Sequence, residues 1–320
     1  MLIYLDMYKL LVKSFLLLLV FSSCSKIVDI DIPDNEKHID VIGLMNSDSI
    51  LKVNISKSVS ILQSTEVSYF NNNSSNTSNI DFVSNATVKI YENNVYKDTL
   101  SFTEYGNYIA NFKPVVGNTY KIEVDVPNCE QVDAENNIPE KVEILSIDTS
   151  NVSNDSFGDD EDILRCEITF SDPPDVENYY LLNVSGKITY SWYDEYDDSL
   201  YVMVDSSFID FDTNDPIIDQ DAKIDNAIIF NDDVINGKTY TLNIEIDKYY
   251  SDSTMLYFNL FSVSRDYYLY RKSISMQKYG GGPFTEAVTV YTNINNGVGI
   301  FAGTNKSTYS ILARNTDYNY

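Results

Sequence analysis

Ala86-Thr87-Val88-Lys89-Ile90-Tyr91-Glu92-Asn93-Asn94-Val95-Tyr96-Lys97-Asp98-Thr99-Leu100 is the stretch on which the fold reading rests. Apolar and polar side chains alternate on either side of Glu92-Asn93-Asn94, the period of a half-buried strand. Asn tolerates the positive φ that a tight hairpin turn requires, so the stretch predicts a β-hairpin. Two turn-then-strand units follow, at Gly106-Asn107-Tyr108-Ile109 and Gly117-Asn118-Thr119-Tyr120-Lys121-Ile122. Upstream, His38-Ile39-Asp40-Val41-Ile42 and Ile50-Leu51-Lys52-Val53-Asn54-Ile55 alternate in the same way, before a loop rich in Asn, Ser and Thr over 68–78. Short strands at this spacing predict an immunoglobulin-like β-sandwich over residues 37–139.

Beyond Pro139 a second β-rich domain is expected over 140–320. Strands are predicted over 141–147, 163–170, 179–193, 200–204, 227–230, 239–246, 255–261, 287–291 and 299–302. Residues 155–162 read as an acidic loop. One segment breaks the two-residue rhythm. From Leu260, the positions Val263, Tyr267, Tyr270 and Ile274 recur at steps of three and four, which predicts one amphipathic helix near 260–279 that ends before Gly280-Gly281-Gly282-Pro283. The whole is therefore mostly β, and the 26 tyrosines and 15 phenylalanines suit sheets better than helical bundles.

The amino terminus is a different kind of segment. Lys9 and Lys13 precede the apolar run Phe15-Leu16-Leu17-Leu18-Leu19-Val20-Phe21, and Ser22-Ser23-Cys24 follows. A membrane-crossing helix needs roughly 20 apolar residues, so the run reads as a secretory signal over 1–23, with either Met1 or Met7 as the start. The tail Phe21-Ser22-Ser23-Cys24 resembles a lipobox, which makes Cys24 the lipidation residue; ordinary cleavage leaving a free thiol is the alternative. Each buried acyl methylene contributes roughly 0.8 kcal/mol, so several chains give a stable membrane anchor. Residues 24–36 form an acidic tether.

Forty-eight acidic against 22 basic residues give a net charge of −26, which repels nucleic acid and anionic headgroups. The single histidine, His38, lies at a strand edge, so chemistry that needs His as base, activator or ligand has almost nothing to work with. No Gly-rich loop precedes a helix as phosphate binding requires. Acidic pairs are too numerous to single out a glycosidase dyad, and an enzyme is not expected. Asp210-Phe211-Asp212-Thr213-Asn214-Asp215, with Asp219 and Asp221 beyond, spaces oxygen ligands as a hard cation recruits them. Asp210, Asp212, Asn214 and Asp221 are thus either a calcium site or a solvated acidic loop; Asp215 and Asp221 stand where an EF-hand has Gly and Glu. Apart from calcium no cofactor is expected. Cys129 and Cys166 either form one disulfide or remain two free thiols. Asp48-Ser49-Ile50, Asp98-Thr99-Leu100, Asp198-Ser199-Leu200 and Asp252-Ser253-Thr254 resemble O-glycosylation acceptors of Bacteroidota, a pattern cheap in so acidic a chain.

Several phrases occur in order along the chain: Ala86-Thr87-Val88-Lys89-Ile90, Gly117-Asn118-Thr119-Tyr120, Phe170-Ser171-Asp172-Pro173, Asn178-Tyr179-Tyr180, Pro283-Phe284-Thr285-Glu286-Ala287-Val288 and Asn293-Ile294-Asn295-Asn296-Gly297-Val298-Gly299-Ile300-Phe301. Together they resemble a lipoprotein family of Bacteroidota, domain of unknown function 4249. The resemblance implies an outer-membrane lipoprotein, expected beside a TonB-dependent β-barrel transporter, with no assigned reaction. Asn296-Gly297 and Gly299 match the family's closing motif and read as tight turns. Surface export in these bacteria favours acidic residues directly after the cysteine, whereas Ser25-Lys26-Ile27-Val28 stand here, so the surface and the periplasmic face both stay open. The expected function is a binding or accessory component of TonB-dependent nutrient uptake; the alternative is a structural or adhesive surface protein without a small ligand.

Overall fold

Asn93 and Asn94 both take positive φ, 51° and 65°, and turn the chain between β4 (Thr87–Glu92) and β5 (Val95–Thr99), as their residue type predicts. A computed structural model of the chain describes residues 38–58, 80–154, 161–194, 196, 199–219, 223–247, 253–279 and 288–314. The signal, Cys24, the tether, the 68–78 loop and Gly280-Gly281-Gly282 lie outside these residues.

The hairpin belongs to a four-stranded antiparallel sheet in the order β5-β4-β8-β9, with β8 at Thr119–Asp125 and β9 at Val132–Asn137. Opposite it lie β1 (Ile39–Met45), β2 (Lys52–Lys57), β3 (Asp81–Phe82), β6 (Ser101–Phe102) and β7 (Asn107–Ile109). Val88, Ile90, Ile122 and Val124 from the first sheet close on Val41, Val53, Ile55 and Tyr108 from the second in one buried cluster. Each such side chain contributes about 1.5–3 kcal/mol when fully buried, enough to fix the register of both sheets. This is the expected immunoglobulin-like sandwich.

A second core forms between two further sheets. β10 (Ile144–Asn154), β11 (Glu161–Ser171) and β16 (Thr239–Asp247) make a three-stranded antiparallel layer. It presents Cys166, Ile168, Phe170, Leu242 and Ile244 to Tyr180, Leu182, Val184, Phe258 and Leu260. The latter sit on β12 (Tyr179–Asp194) and β17 (Ser253–Val263), which run antiparallel in a sheet that also holds β13 (Ser199–Ile209), β14 (Lys223–Ile224) and β15 (Ala227–Asn231).

The last strand, β18 (Val298–Arg314), joins the two halves. Its residues Val298 to Gly303 pair in parallel with β1, and Thr304 to Arg314 pair antiparallel with β17, so one eleven-stranded sheet runs through both cores. Gly303 is obligatory at the changeover, because a Cβ there would lie 2.0 Å from the Asn137 carbonyl oxygen. Gly299 takes a φ of 102° beside the Val41 carbonyl, where a side chain would both strain the backbone and collide.

This continuity changes the reading of a boundary at 139/140. Ile294 and Phe301, from the carboxyl end, are buried in the amino-terminal core, and Lys37–Tyr320 is one compact unit. The segment after Pro139 is stitched down as well. Asn305 Nδ2 donates to the Pro139 carbonyl at 3.0 Å, Val142 N to Ser262 Oγ at 3.1 Å, and Ile144 N to Ser307 Oγ at 3.1 Å.

The helix, α1 (Arg265–Tyr279), starts later than its periodicity suggests, because Leu260 to Val263 complete β17. Ser264 caps it: Tyr267 N donates to its hydroxyl at 3.5 Å and Tyr268 N to its carbonyl at 3.1 Å. Asp266 in the first turn and Lys278 in the last agree with the helix dipole. The buried positions are Tyr268, Ser273 and Ser275, whereas Tyr267, Tyr270 and Ile274 are only half-buried. Small hydroxyl side chains let the helix lie close on Leu181, Ala227, Ile229 and Val263. Residues 288–291, expected as strand, are not one. They bind the helix instead, Tyr291 N donating to Ser273 Oγ at 2.8 Å, since β18 already holds the edge of β1. Among the described residues no helix is long and apolar enough to cross a membrane.

Candidate functional site

The residues singled out in the sequence are placed as follows. Among the described residues Asp210 and Asp212 do not form a cation cage with Asn214. The Lys223 ammonium sits 3.1 Å from Asp210 and 3.0 Å from Asp212, Asn214 is exposed on its own, and Asp221 lies outside the described residues. The positive charge that this loop recruits is a lysine of the chain itself. Asp215 turns inward instead, accepting the Tyr240 hydroxyl at 2.5 Å and Asn243 N at 3.1 Å. Burial, and then this bond, push the Tyr240 phenol above its ordinary range.

The two cysteines are free thiols, which corrects the disulfide alternative. Cys166 is wholly inside the second core, where burial pushes its thiol up to about 12, while Cys129 packs against the first. A bridge would have to cross from one core to the other. His38 is exposed, its backbone N–H donating to Ser58 Oγ at 2.9 Å. Of the glycosylation tripeptides, Ser49 and Thr99 are exposed, and Asp198 and Asp252 lie outside the described residues.

The recurring phrases of the sequence are scaffold. Asp172, buried beside Phe170, accepts the Tyr180 hydroxyl and, at 2.9 Å, Gly237 N, while Asn178 N donates to Asp232 at 2.9 Å. Asn293 clasps β18 from both sides, donating to the Phe301 carbonyl at 2.7 Å and accepting from Phe301 N at 3.0 Å. Tyr120 receives Val115 N at 2.9 Å while its hydroxyl reaches Glu92. Polar atoms that burial would otherwise strand are satisfied at each of these positions.

Among the described residues, one uncovered surface is the outer face of the large sheet, away from the second core. Along this face Thr308, Asn259 and Asn183 form a polar ladder across β18, β17 and β12: Thr308 Oγ1 donates to Asn259 Oδ1 at 2.8 Å, and Asn259 Nδ2 to Asn183 Oδ1 at 3.0 Å. Between the ladder and α1 opens a cavity of about 300 Å³, walled by Leu44, Leu181, Phe208, Ile224 and Phe261. Arg271, one helical turn after Tyr267, lines it, and its buried Nε has no hydrogen-bond partner among the described residues. Asp225 stands at the cavity edge in the turn between β14 and β15, held below the usual carboxylate range by Lys278 at 2.7 Å.

Leu200, Val202 and Val204 continue this face onto the β12–β13 hairpin, which outruns β17, while Trp192 and Tyr201 stand on the hairpin's other face. Pairing with β17 ends at Thr189, whereas pairing with β13 continues to Asp194. Trp192, Leu200, Val202 and Val204 are exposed, Trp192 at 50%, and the Trp192 and Tyr201 rings stack 5.6 Å apart. Among the described residues β13 pairs with β12 alone, so its outer edge meets no described strand. Neither Arg271 nor Trp192 stands out in the sequence. An arginine on an amphipathic helix reads as a solvated charge, and a tryptophan in an alternating strand reads as core.

Among the described residues the fold defines a class: a two-core β-sheet scaffold with one crossing helix and an exposed aromatic hairpin. The chain belongs to the family described as Domain of unknown function (DUF4249), whose model matches residues 25–310. No curated protein matches it.

Proposed function

We propose that this chain is a lipid-anchored outer-membrane lipoprotein that works as a non-catalytic binding or accessory component of a TonB-dependent uptake system. The observation that carries the reading is the β12–β13 hairpin. It extends apolar and aromatic side chains, Trp192, Leu200, Val202 and Val204, into solvent on a chain whose net charge is otherwise strongly negative. Exposed apolar surface of this kind marks an interaction site, and an edge strand such as β13 accepts a further strand by main-chain pairing. Supporting the anchor, the family match begins at residue 25, directly after Cys24. A barrel transporter fits as partner because its loops meet a lipid-tethered protein at the same membrane surface.

Two experiments test the reading. Cys24→Ala in the full chain is expected to move the protein from the membrane to the soluble fraction, and retention on membranes would remove the anchor. A photo-crosslinking residue at Tyr196, fully exposed at the hairpin tip, is expected to capture a β-barrel protein in intact cells. Consistent absence of a barrel adduct counts against the transporter and favours the structural or adhesive alternative.

A further inference from the structure

We infer that the cavity beneath α1 binds a small amphipathic monocarboxylate, its carboxylate held by Arg271 and its apolar body by Leu181, Phe208 and Phe261. This is independent of the partner proposed for the hairpin. The first ground is the Arg271 guanidinium: its Nε is buried and has no hydrogen-bond partner among the described residues. A buried polar donor left unmade costs about 1–3 kcal/mol, and charged groups cost more, so native structures keep such groups for a purpose. The second ground is shape. At about 300 Å³ the cavity lies at the small end of ligand sites, and it is mostly apolar with a few convergent polar groups. Tyr267, Asn183 and Thr304 also line it, which offers polar groups beside the guanidinium.

Charge selects the ligand class. Arg271 presents a planar fork that suits a carboxylate. Asp225 also lines the cavity, and its charge is matched by Lys278. The excess is therefore one positive charge, which suits a monoanion; a phosphate dianion would leave one negative charge unmatched near Asp225 and the apolar wall. The two aromatic rings and the leucine favour an alkyl or aryl body over a sugar or a short diacid.

Calorimetric titration of the purified full chain with hexanoate and with benzoate, each set against its uncharged counterpart, hexanol or benzyl alcohol, tests the inference. Saturable binding of at least one carboxylate is expected, with a Kd of about 1 mM or tighter, and with the matching alcohol about tenfold weaker or worse. Arg271→Met is expected to weaken carboxylate binding about tenfold or more, whereas Arg265→Met, at the exposed start of the same helix, leaves it unchanged. Absence of saturable binding by either acid, equal binding of acid and alcohol, or undiminished binding by Arg271→Met would overturn it. The acid-to-alcohol comparison uses the unaltered chain, so it decides even if Arg271→Met fails to fold.

Discussion

Tyr180 and Asp172 show how much a single buried pair carries in this protein. Asp172 is 3% exposed, and burial pushes its carboxyl above the ordinary 3.8, an effect that the Tyr180 hydroxyl and Gly237 N partly offset. Tyr180→Phe removes one donor and is expected to lower stability by about 1–3 kcal/mol at neutral pH, read from the denaturant midpoint. Losing that donor raises the folded carboxyl further. The deficit should therefore be full above the variant's folded value and shrink as pH falls from there to the wild-type folded value, which itself lies above 3.8. The opposite end of the pH scale belongs to the tyrosines. Burial first, and then the bond to Asp266, push Tyr291 from 10.0 up to about 12, and Tyr180 and Tyr240 are raised for similar reasons. Folded protein thus holds these protons where unfolded chain loses them, so stability is expected to fall as pH rises from 10 through 12. Ultraviolet titration should show a group of phenolates that appears only together with unfolding. If every tyrosine ionises near 10 in the folded state, the buried bonds are not as described.

Among the elements, β18 and the β12–β13 hairpin represent two opposite uses of a long strand. β18 is pinned on both sides, and Gly303→Ala would drive a methyl into the Asn137 carbonyl. It is expected to cost about 1–3 kcal/mol or more, seen as a lowered Tm for the whole transition. The hairpin is pinned on one side only. Val202→Lys is expected to leave stability within about 0.5 kcal/mol, as surface changes do, while reducing partner capture at Tyr196. The chain's single tryptophan lies here, so its fluorescence reports the hairpin directly. Emission should be that of a solvent-exposed indole, readily quenched by iodide, and should shift to the blue when a partner docks. A buried-type spectrum in the isolated protein would contradict the exposed hairpin. The turn of the β4–β5 hairpin was legible beforehand because two consecutive asparagines have few other reasons to sit between alternating strands. The start of α1 was not, because Leu260 and Val263 satisfy the period of either element, and pairing with β12 and β18 decides for the strand.

Across the whole molecule, the shared strand makes the two cores one folding unit. Residues 37–139 produced alone would lack Ile294 and Phe301 from their core and leave the edge of β1 open. They are expected to show no cooperative unfolding by circular dichroism, whereas the full chain unfolds in one transition. A stably folded 37–139 fragment would show that β18 is an accessory to the first core and not part of it. Pro139 reads in the sequence as the opening of a second domain, because its partner in β18, Asn305, lies 166 residues further along the chain. Thr304, Asn305 and Ser307 are polar but buried, and their polarity serves the backbone of Met45, Pro139 and Ile144.

By itself the sequence determined the strand-rich class, the turn at Asn93 and Asn94, the apolar run before Cys24 and the family to which the chain belongs. These follow from local steric preference and two-residue alternation, which neighbouring residues express without help from distant ones. Tertiary structure alone decided that Lys223 fills the acidic loop, that the two thiols lie in separate cores, that one strand serves both sheets, and that Arg271 faces a cavity. Each depends on segments far apart in the chain meeting at one place. Hydrogen bonding and charge pairing between distant residues leave no periodic trace along the chain.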